Sequence, residues 1–421
     1  MPSAVDRLRG GREDVGSLGR RVLARRGAAG APSRRGAPWA GLVTPLGWAV
    51  AGVGVVAWIG GWQLGWRELM VVAGGCLVLL VLAAAWVVRP PALRTEIVLE
   101  PSRVEAGSPA AGTITARNVT SRRTLPAQIE LPVGPDVAAF DIGSLPPGAA
   151  TEELFVVPTE RRGVIPIGPA TSVRGDPVGL FQREARNGQP HELVVHPHTT
   201  PLEPFGSGLL RDLEGLITKD LSVSDLAFHA LRDYSPGDDR RYVHWRSSAK
   251  ANRLLVRQFQ DTRRSTLCIV VDGVAEAYRQ PDEFETALEV AGSLALRACR
   301  DDLSATLVAA DQAAGGSVPH VLLDALSRAH LGANPPDMAG QISRAVSKGA
   351  DISFGVVISG SGRTSADLQR AAARFPLEVR VLAVRVVPGE SPSVRAGGRA
   401  VAVQLQRLAD LPGLMRAEVA A

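Results

Sequence analysis

Cysteine is nearly missing from this chain: Cys76, Cys268 and Cys299 are the only three in 421 residues. They form no CxxC pair and no ligand-like spacing, which excludes a disulfide framework, a thiolate zinc site and a dithiol redox centre. They read as small buried hydrophobes of a reducing compartment, with Cys76 in an apolar run, Cys268 in a strand and Cys299 near a helix end. Lysine is as scarce, at Lys219, Lys250 and Lys348, so arginine carries nearly all the positive charge. The net charge of +5 is concentrated, because residues 1–42 hold nine Arg against Asp6, Glu13 and Asp14, and the remainder is close to −1. Basicity confined to a tail gives no nucleic-acid footprint, which needs a basic patch on a folded face. No Gly-x-Ser-x-Gly elbow, HExxH pair or P-loop lysine is present, so a hydrolase, zinc peptidase or P-loop nucleotidase would lack its signature.

What is present begins with two charge-free runs, 22 residues from Trp39 to Gly60 and 20 from Leu69 to Val88. At about 1.5 Å per helical residue, each is long enough for a hydrocarbon core of roughly 30 Å. Trp39, Trp62, Trp66 and Trp86 fall near the expected interfaces, and Gly52, Gly54, Gly60, Gly61, Gly74 and Gly75 suit close helix packing. The first run is too long and too late for a cleaved signal peptide, and a second span follows it. The expectation is a basic tail over 1–38, transmembrane helices over 39–60 and 69–88, and a two-pass protein of the cell membrane. The arginine tail should stay cytoplasmic, with Arg89 and Arg94 returning to the same side, so both termini are cytoplasmic. The tail can also contact anionic lipid, at about 1 kcal/mol per residue near the surface.

From 92 to 205 the period is two. Ile129, Leu131 and Val133 alternate with Gln128, Glu130 and Pro132, and turn signals recur at Ala106-Gly107, Pro146-Pro147-Gly148 and Gly175-Asp176-Pro177. Short strands at this spacing predict an all-β immunoglobulin-like sandwich, a module that binds or spaces. His196 and His198 share a side of an extended chain but lack the further ligands of a metal site. Asn118-Val119-Thr120 matches a glycosylation sequon, and a strand end is the reading preferred here.

From 263 to 421 the pattern is α/β. Leu267 to Val271 reads as a buried parallel strand ending at Asp272, and Pro281 opens a helix with Phe284, Ala287, Leu288, Ala291, Leu294, Ala295 and Ala298 on one face. Strand-like runs at Ala305–Ala310, Phe354–Ile358, Val379–Val386 and Val401–Leu405 alternate with helices, which implies a parallel sheet covered on both faces. Ligands bind such sheets at the carboxyl ends of strands, so Asp272 and Ser359 to Ser361 are the candidate positions. The pattern resembles a von Willebrand factor A-type domain, whose metal site needs Asp-x-Ser-x-Ser after the first strand. Asp272 is in place, but Val274 and Glu276 replace the hydroxyls. Any Mg²⁺ would rest on Asp272 and Glu276 in a degenerate site; a metal-free interaction surface with no cofactor is the expectation. The Ser359–Gly362 loop lacks the lysine and spacing of a P-loop.

The most distinctive stretch joins these regions, within 206–262. Ser235-Pro236-Gly237-Asp238 predicts a type II turn, and Asp238 a cap for a short helix in which Tyr242, Trp245 and Ala249 share a face. Arg240, Arg241 and Arg246 then lie within reach of Asp233, Asp238 or Asp239, and Leu254 to Phe259 reads as a strand. The stretch is either a clamp with Tyr242 and Trp245 in a core, or a recognition surface. Here the chain resembles the domain of unknown function 58 family, through Arg232-Asp233-Tyr234-Ser235-Pro236-Gly237-Asp238, Arg241, His244-Trp245-Arg246, Ser248-Ala249-Lys250 and Leu254 to Phe259 including Arg257. Arg162-Gly163, Gly168-Pro169, Asp176 to Phe181 and Val195-His196-Pro197 fit the same pattern. His244 departs from it, because an acidic residue is usual before the Trp.

The resemblance implies a membrane-anchored bacterial partner of MoxR-type AAA+ ATPases, associated with transglutaminase-like membrane proteins, and it implies no catalytic residues. The leading expectation is therefore a non-enzymatic adaptor in which the hairpin anchors, the sandwich spaces and the A-type domain docks an ATPase or client. Two alternatives stand beside it: an anion receptor using Arg232, Arg240, Arg241 and Arg246, and a hydrolase using scattered Ser, His and Asp.

Overall fold

Thr44 and Pro45 start the first helix, α1 (Pro45–Leu64): the Thr44 hydroxyl accepts the N–H of Gly47, and proline occupies the first turn, where its missing N–H costs nothing. The computed structural model describes residues 42–88, 93–204, 226–235, 242–261, 266–332, 336–348 and 352–420. The basic tail, Trp39 and Arg89 lie outside these, as do Pro236, Gly237, Asp238, Arg240 and Arg241 and the side chains of Arg232 and Arg257. Chain contacts divide the protein into two units, Met1–His196 and Pro197–Ala421.

In the first unit, α1 and α2 (Arg67–Val87) form an antiparallel hairpin closed by Gly65 and Trp66. The expected boundaries shift, because Gly61 to Leu64 remain helical and α2 begins at Arg67 rather than 69. Both helices are long and apolar enough to cross a membrane, and only 17 % of each apolar stretch is buried. Trp48, Val56, Trp62 and Val71 are all exposed on these helices. Gly54 and Gly61 face Cys76 and Met70, as close packing requires, whereas Gly52, Gly74 and Gly75 face no neighbour.

A β-rich region follows, made of β1 (Leu93–Leu99), β2 (Arg103–Glu105), β3 (Ala110–Asn118), β4 (Ala127–Val133), β5 (Asp136–Ile142), β6 (Ala150–Val157), β7 (Gly163–Ile167), β8 (Ala170–Gly175), β9 (Gln182–Asn187) and β10 (His191–His196). One sheet has the order β1-β3-β6, and the other runs β2-β10-β7-β4-β8-β9 with β5 paired to β4. Alternation decides the faces: in β4, Ala127, Ile129, Leu131 and Val133 are buried, and Ile129 and Leu131 pack with Ile114, Phe155 and Ile167 in one core. Burying each of those two side chains is worth about 1.5–3 kcal/mol.

The hairpin is tied to this region by the β8–β9 loop. The Asp176 carboxylate accepts the N–H groups of Val178 (3.0 Å) and Phe181 (2.6 Å) and so fixes a tight turn. The turn aligns Leu180 and Phe181 against the start of α1, where Thr44 N–H donates to the Leu180 carbonyl and Gln182 N–H to that of Leu42. At the other helix end, Arg183 donates to the Val88 carbonyl, a basic group on an unsatisfied helix C-terminus.

The second unit opens with a two-stranded antiparallel ribbon, β11 (Leu226–Asp233) and β12 (Leu255–Asp261), with α3 (Trp245–Ala251) between them in sequence. Then come β13 (Thr266–Val271), α4 (Pro281–Arg300), β14 (Ser304–Ala309), β15 (Gln312–Gly316), α5 (Pro319–Arg328), α6 (Met338–Lys348), β16 (Ile352–Ser359), α7 (Ser365–Ala372), β17 (Arg380–Val386), β18 (Ser393–Arg395), β19 (Ala400–Leu405) and α8 (Leu411–Ala420). The sheet order is β15-β14-β13-β16-β17-β19-β18, parallel throughout its centre and antiparallel at both edges. Two cores cover its faces, one holding Ile269, Leu288 and Leu294, the other Val270, Ile342 and Phe375. Cys268 lies fully buried in β13, where burial pushes its thiol up to about 12, so it is inert packing.

Candidate functional site

β13 lies inside the sheet with β14 on one side and β16 on the other, so the chain reverses its direction of travel across the sheet there. The carboxyl ends of β13 and β16 flank the crevice where ligands of open α/β sheets bind. Asp272 follows β13, Ser359 ends β16, and the two meet: the Ser359 hydroxyl donates to Asp272 Oδ2 at 3.0 Å.

The rest of the Asp272 carboxylate is also taken. Its Oδ1 accepts the N–H of Val274 (3.1 Å), and Oδ2 accepts Nε–H of Arg363 (3.0 Å) in an ion pair. Asp272 is fully buried and Arg363 is 30 % exposed, so the guanidinium caps the crevice from its open side. Partial burial works against charge on Arg363, but its hydrogen bond to Asp272 and the charges of Asp272, Asp367 and Glu276 outweigh this and raise its pKa. The Tyr278 hydroxyl donates to the Asp272 carbonyl at 2.6 Å, and burial, with the Asp272 charge, pushes the phenol well above its usual value.

A second buried carboxylate closes the neighbouring loop. Glu283, in the first turn of α4 and 1 % exposed, accepts the Ser361 N–H (2.9 Å) and the Arg279 N–H (3.2 Å) on Oε2, and the Ser361 hydroxyl (2.8 Å) on Oε1. Gly360 passes so close that a Cβ there would lie 2.6 Å from Glu283 Oε2 and from the Ala277 carbonyl oxygen. Only glycine allows this approach.

This geometry gives the expected metal residues a different setting. Asp272 already accepts three hydrogen bonds from protein donors, one of them in an ion pair with Arg363, so its charge is matched within the protein. Glu276 is exposed on a single 3₁₀ turn, Ala275–Ala277, and reaches Arg363 only as a distant charge. Among the described residues no three His, Cys, Asp or Glu side chains cluster as metal ligands, at His196 and His198 or elsewhere. Sequence reasoning reached Asp272, Ser359 and Ser361 but missed Arg363, Tyr278 and Glu283. Their signal was positional: Arg363 follows the glycine loop by one residue, and Glu283 sits two after Pro281.

In the central stretch, Arg232, Asp233 and Arg257 fall on the ribbon, with Arg232 opposite Val256 and Asp233 opposite Leu255. Tyr234 N–H donates to the Leu254 carbonyl at 2.9 Å. The Asp233 carboxylate pairs with Arg253 at 3.0 Å, both side chains more than 60 % exposed, which adds little stability. The helix forms, but with two corrections to its expected anatomy. Its N-cap is His244, whose Nδ1 accepts the Ser247 N–H at 3.2 Å, and it begins at Trp245, too late for Asp238 to cap it. Trp245 is not core: it is 65 % exposed, beside exposed Arg246. The burial falls instead on Val243, Ser248, Leu255 and Val256, where the Ser248 hydroxyl accepts the Leu255 N–H at 2.8 Å. Histidine is a weaker cap than a carboxylate, so His244→Asp is expected to stabilise α3 by about 0.5–1 kcal/mol, read as a higher urea midpoint.

Comparison with known proteins finds one family model that matches part of the chain. No curated protein matches the chain. Among solved structures, the CARDB domain of the PF1109 protein from Pyrococcus furiosus, in complex with di-metal ions, is 15% identical; the match covers 24% of this chain and 91% of that one, at a TM-score of 0.20. The PKD domain of an M14-like peptidase from Thermoplasmatales archaeon SCGC AB-540-F20 is 12% identical, over 23% of this chain and 94% of that one, at 0.15. A beta-glucosidase from Listeria innocua is 10% identical, over 23% of this chain and 16% of that one, also at 0.15. Residues 230–402, which hold most of the ribbon, α3 and most of the parallel sheet, match the model of the family described as "Protein of unknown function DUF58".

Proposed function

We propose that this chain is a non-enzymatic membrane adaptor that docks a cytosolic MoxR-type AAA+ ATPase, with the hairpin spanning the cell membrane and both termini cytoplasmic. In this reading the β-rich region is an immunoglobulin-like spacer and the parallel-sheet region a von Willebrand factor A-like docking domain. Asp272, directly after the first strand of that sheet, supports the likeness. The pairing of Asp272 with Arg363 and of Glu283 with Ser361 supports a rigid surface over a reaction site, since each carboxylate already accepts three hydrogen bonds from protein donors.

Trp245 carries the proposal. A tryptophan 65 % exposed beside an exposed arginine, inside the family-matched residues, is the composition of an interface hot spot. The test is capture of the ATPase by tagged, detergent-solubilised chain in the presence of a non-hydrolysable nucleotide. Wild type should retain the ATPase, and Trp245→Ala should lose at least tenfold in affinity with an unchanged unfolding midpoint. Failure of the wild-type chain to capture the ATPase would overturn the adaptor reading.

A further inference from the structure

The last turn of α2 and the loop between β3 and β4 border an open hollow of about 600 Å³. Trp86 and Val88 stand on the helix side, and Ser121, Arg122, Arg123 and Arg174 on the other. Arg122 and Arg123 are exposed, and neither guanidinium pairs with a described residue. Two exposed arginines and a hydroxyl on one wall, with an indole on an apolar helix on the other, provide both oxyanion donors and an apolar wall.

The walls are held in place. Asn118, 1 % exposed, donates its amide to the carbonyls of Arg122 (2.8 Å), Leu145 (3.0 Å) and Pro146 (3.0 Å), and its Oδ1 accepts the N–H (2.9 Å) and hydroxyl (2.7 Å) of Thr120. The loop presenting Arg122 and Arg123 is thus fixed before any ligand arrives, which lowers the cost of binding. The opposite wall is fixed by Arg183 on the Val88 carbonyl. The hollow lies at the hairpin end that meets the β-rich region, away from the Gly65–Trp66 turn. If the hairpin spans the bilayer, the hollow stands at its polar boundary, where Trp86 is suited to sit.

We propose that this hollow binds the headgroup of an anionic phospholipid, with the phosphodiester gripped by Arg122 and Arg123 and the acyl chains lying along α2 beside Trp86. The proposal rests on the membrane reading of the hairpin, and the experiment separates the two. The full chain is reconstituted into phosphatidylcholine vesicles with and without phosphatidylglycerol, and insertion is read by flotation and resistance to carbonate. Retained lipid is then counted by native mass spectrometry after extraction into detergent. Wild type should insert into both vesicles and retain phosphatidylglycerol over phosphatidylcholine. Arg122→Ala/Arg123→Ala should insert equally but retain about tenfold less phosphatidylglycerol or lower still. Arg161→Ala/Arg186→Ala, which removes the same charge elsewhere on the β-rich region, should behave as wild type.

Failure of wild type to insert overturns the membrane reading and this proposal with it. Insertion without preference for phosphatidylglycerol in the wild type overturns the lipid site alone, whatever the variants do. Equal loss in both double variants reduces the effect to general charge attraction and also overturns it. Release of the lipid by excess inorganic phosphate would assign the hollow to free phosphate instead.

Discussion

Replacing Arg363 with alanine is expected to destabilise the Pro197–Ala421 unit by about 3–5 kcal/mol and to lower its thermal midpoint by roughly 10 °C. The effect comes from what remains. Asp272 is fully buried, and without Arg363 its Oδ2 keeps only the Ser359 hydroxyl, with no positive charge against it. An unpaired buried carboxylate is far costlier than the pair it came from. Arg363→Lys keeps the charge without the Nε–H geometry and should fall between alanine and wild type. The double variant Arg363→Ala/Asp272→Asn should recover part of the loss, because it removes the stranded charge. Calorimetry of the four full-length proteins in detergent checks this. An Arg363→Ala midpoint within 2 °C of wild type would show that the pair does not hold the crevice closed.

The parallel sheet was legible in the sequence because its strands are buried on both faces. Thr266–Val271 has all six residues buried, and such continuous apolar runs need no partner to be recognised. α4 was equally clear, since Phe284, Ala287, Leu288, Ala291, Leu294, Ala295 and Ala298 are all buried at helical spacing. β15 went unread because Gln312–Gly316 has no apolar alternation; it pairs as an antiparallel edge and leaves Gly315 and Gly316 exposed. The site divides in the same way. Asp272 and Ser359 could be placed because strand ends are visible in one sequence. Arg363 and Glu283 could not, because they reach those strand ends through side chains across 91 and 78 residues of chain. The α3 error has a further cause: Asp238 is a strong cap residue in the right composition, but capping depends on where the backbone turns, and that turn falls at His244. Trp245 followed the same logic, since helical spacing tells which residues share a face and not whether that face is covered.

Asn118→Asp is expected to be the most damaging single-atom exchange in the β-rich region, at about 3–5 kcal/mol, and worse than Asn118→Ala at about 2–3 kcal/mol. The sequon reading of Asn118-Val119-Thr120 treats the amide as an exposed acceptor of glycan. The structure instead gives its two N–H bonds to three carbonyls and leaves the side chain 1 % exposed. Alanine deletes the donors and strands part of the Leu145 and Pro146 carbonyl capacity. Aspartate keeps Oδ1 for Thr120 but turns a second oxygen toward those same carbonyls, so an attraction becomes a repulsion between acceptors in a buried place. This order is diagnostic, because on an exposed strand end the two substitutions would be equivalent and both within about 0.5 kcal/mol of wild type. Urea unfolding of the three proteins in detergent, followed by the fluorescence of Trp86 and its neighbours, measures it. An Asn118→Asp midpoint at or above that of Asn118→Ala would show that the amide is not the donor that holds the Thr120–Arg123 loop.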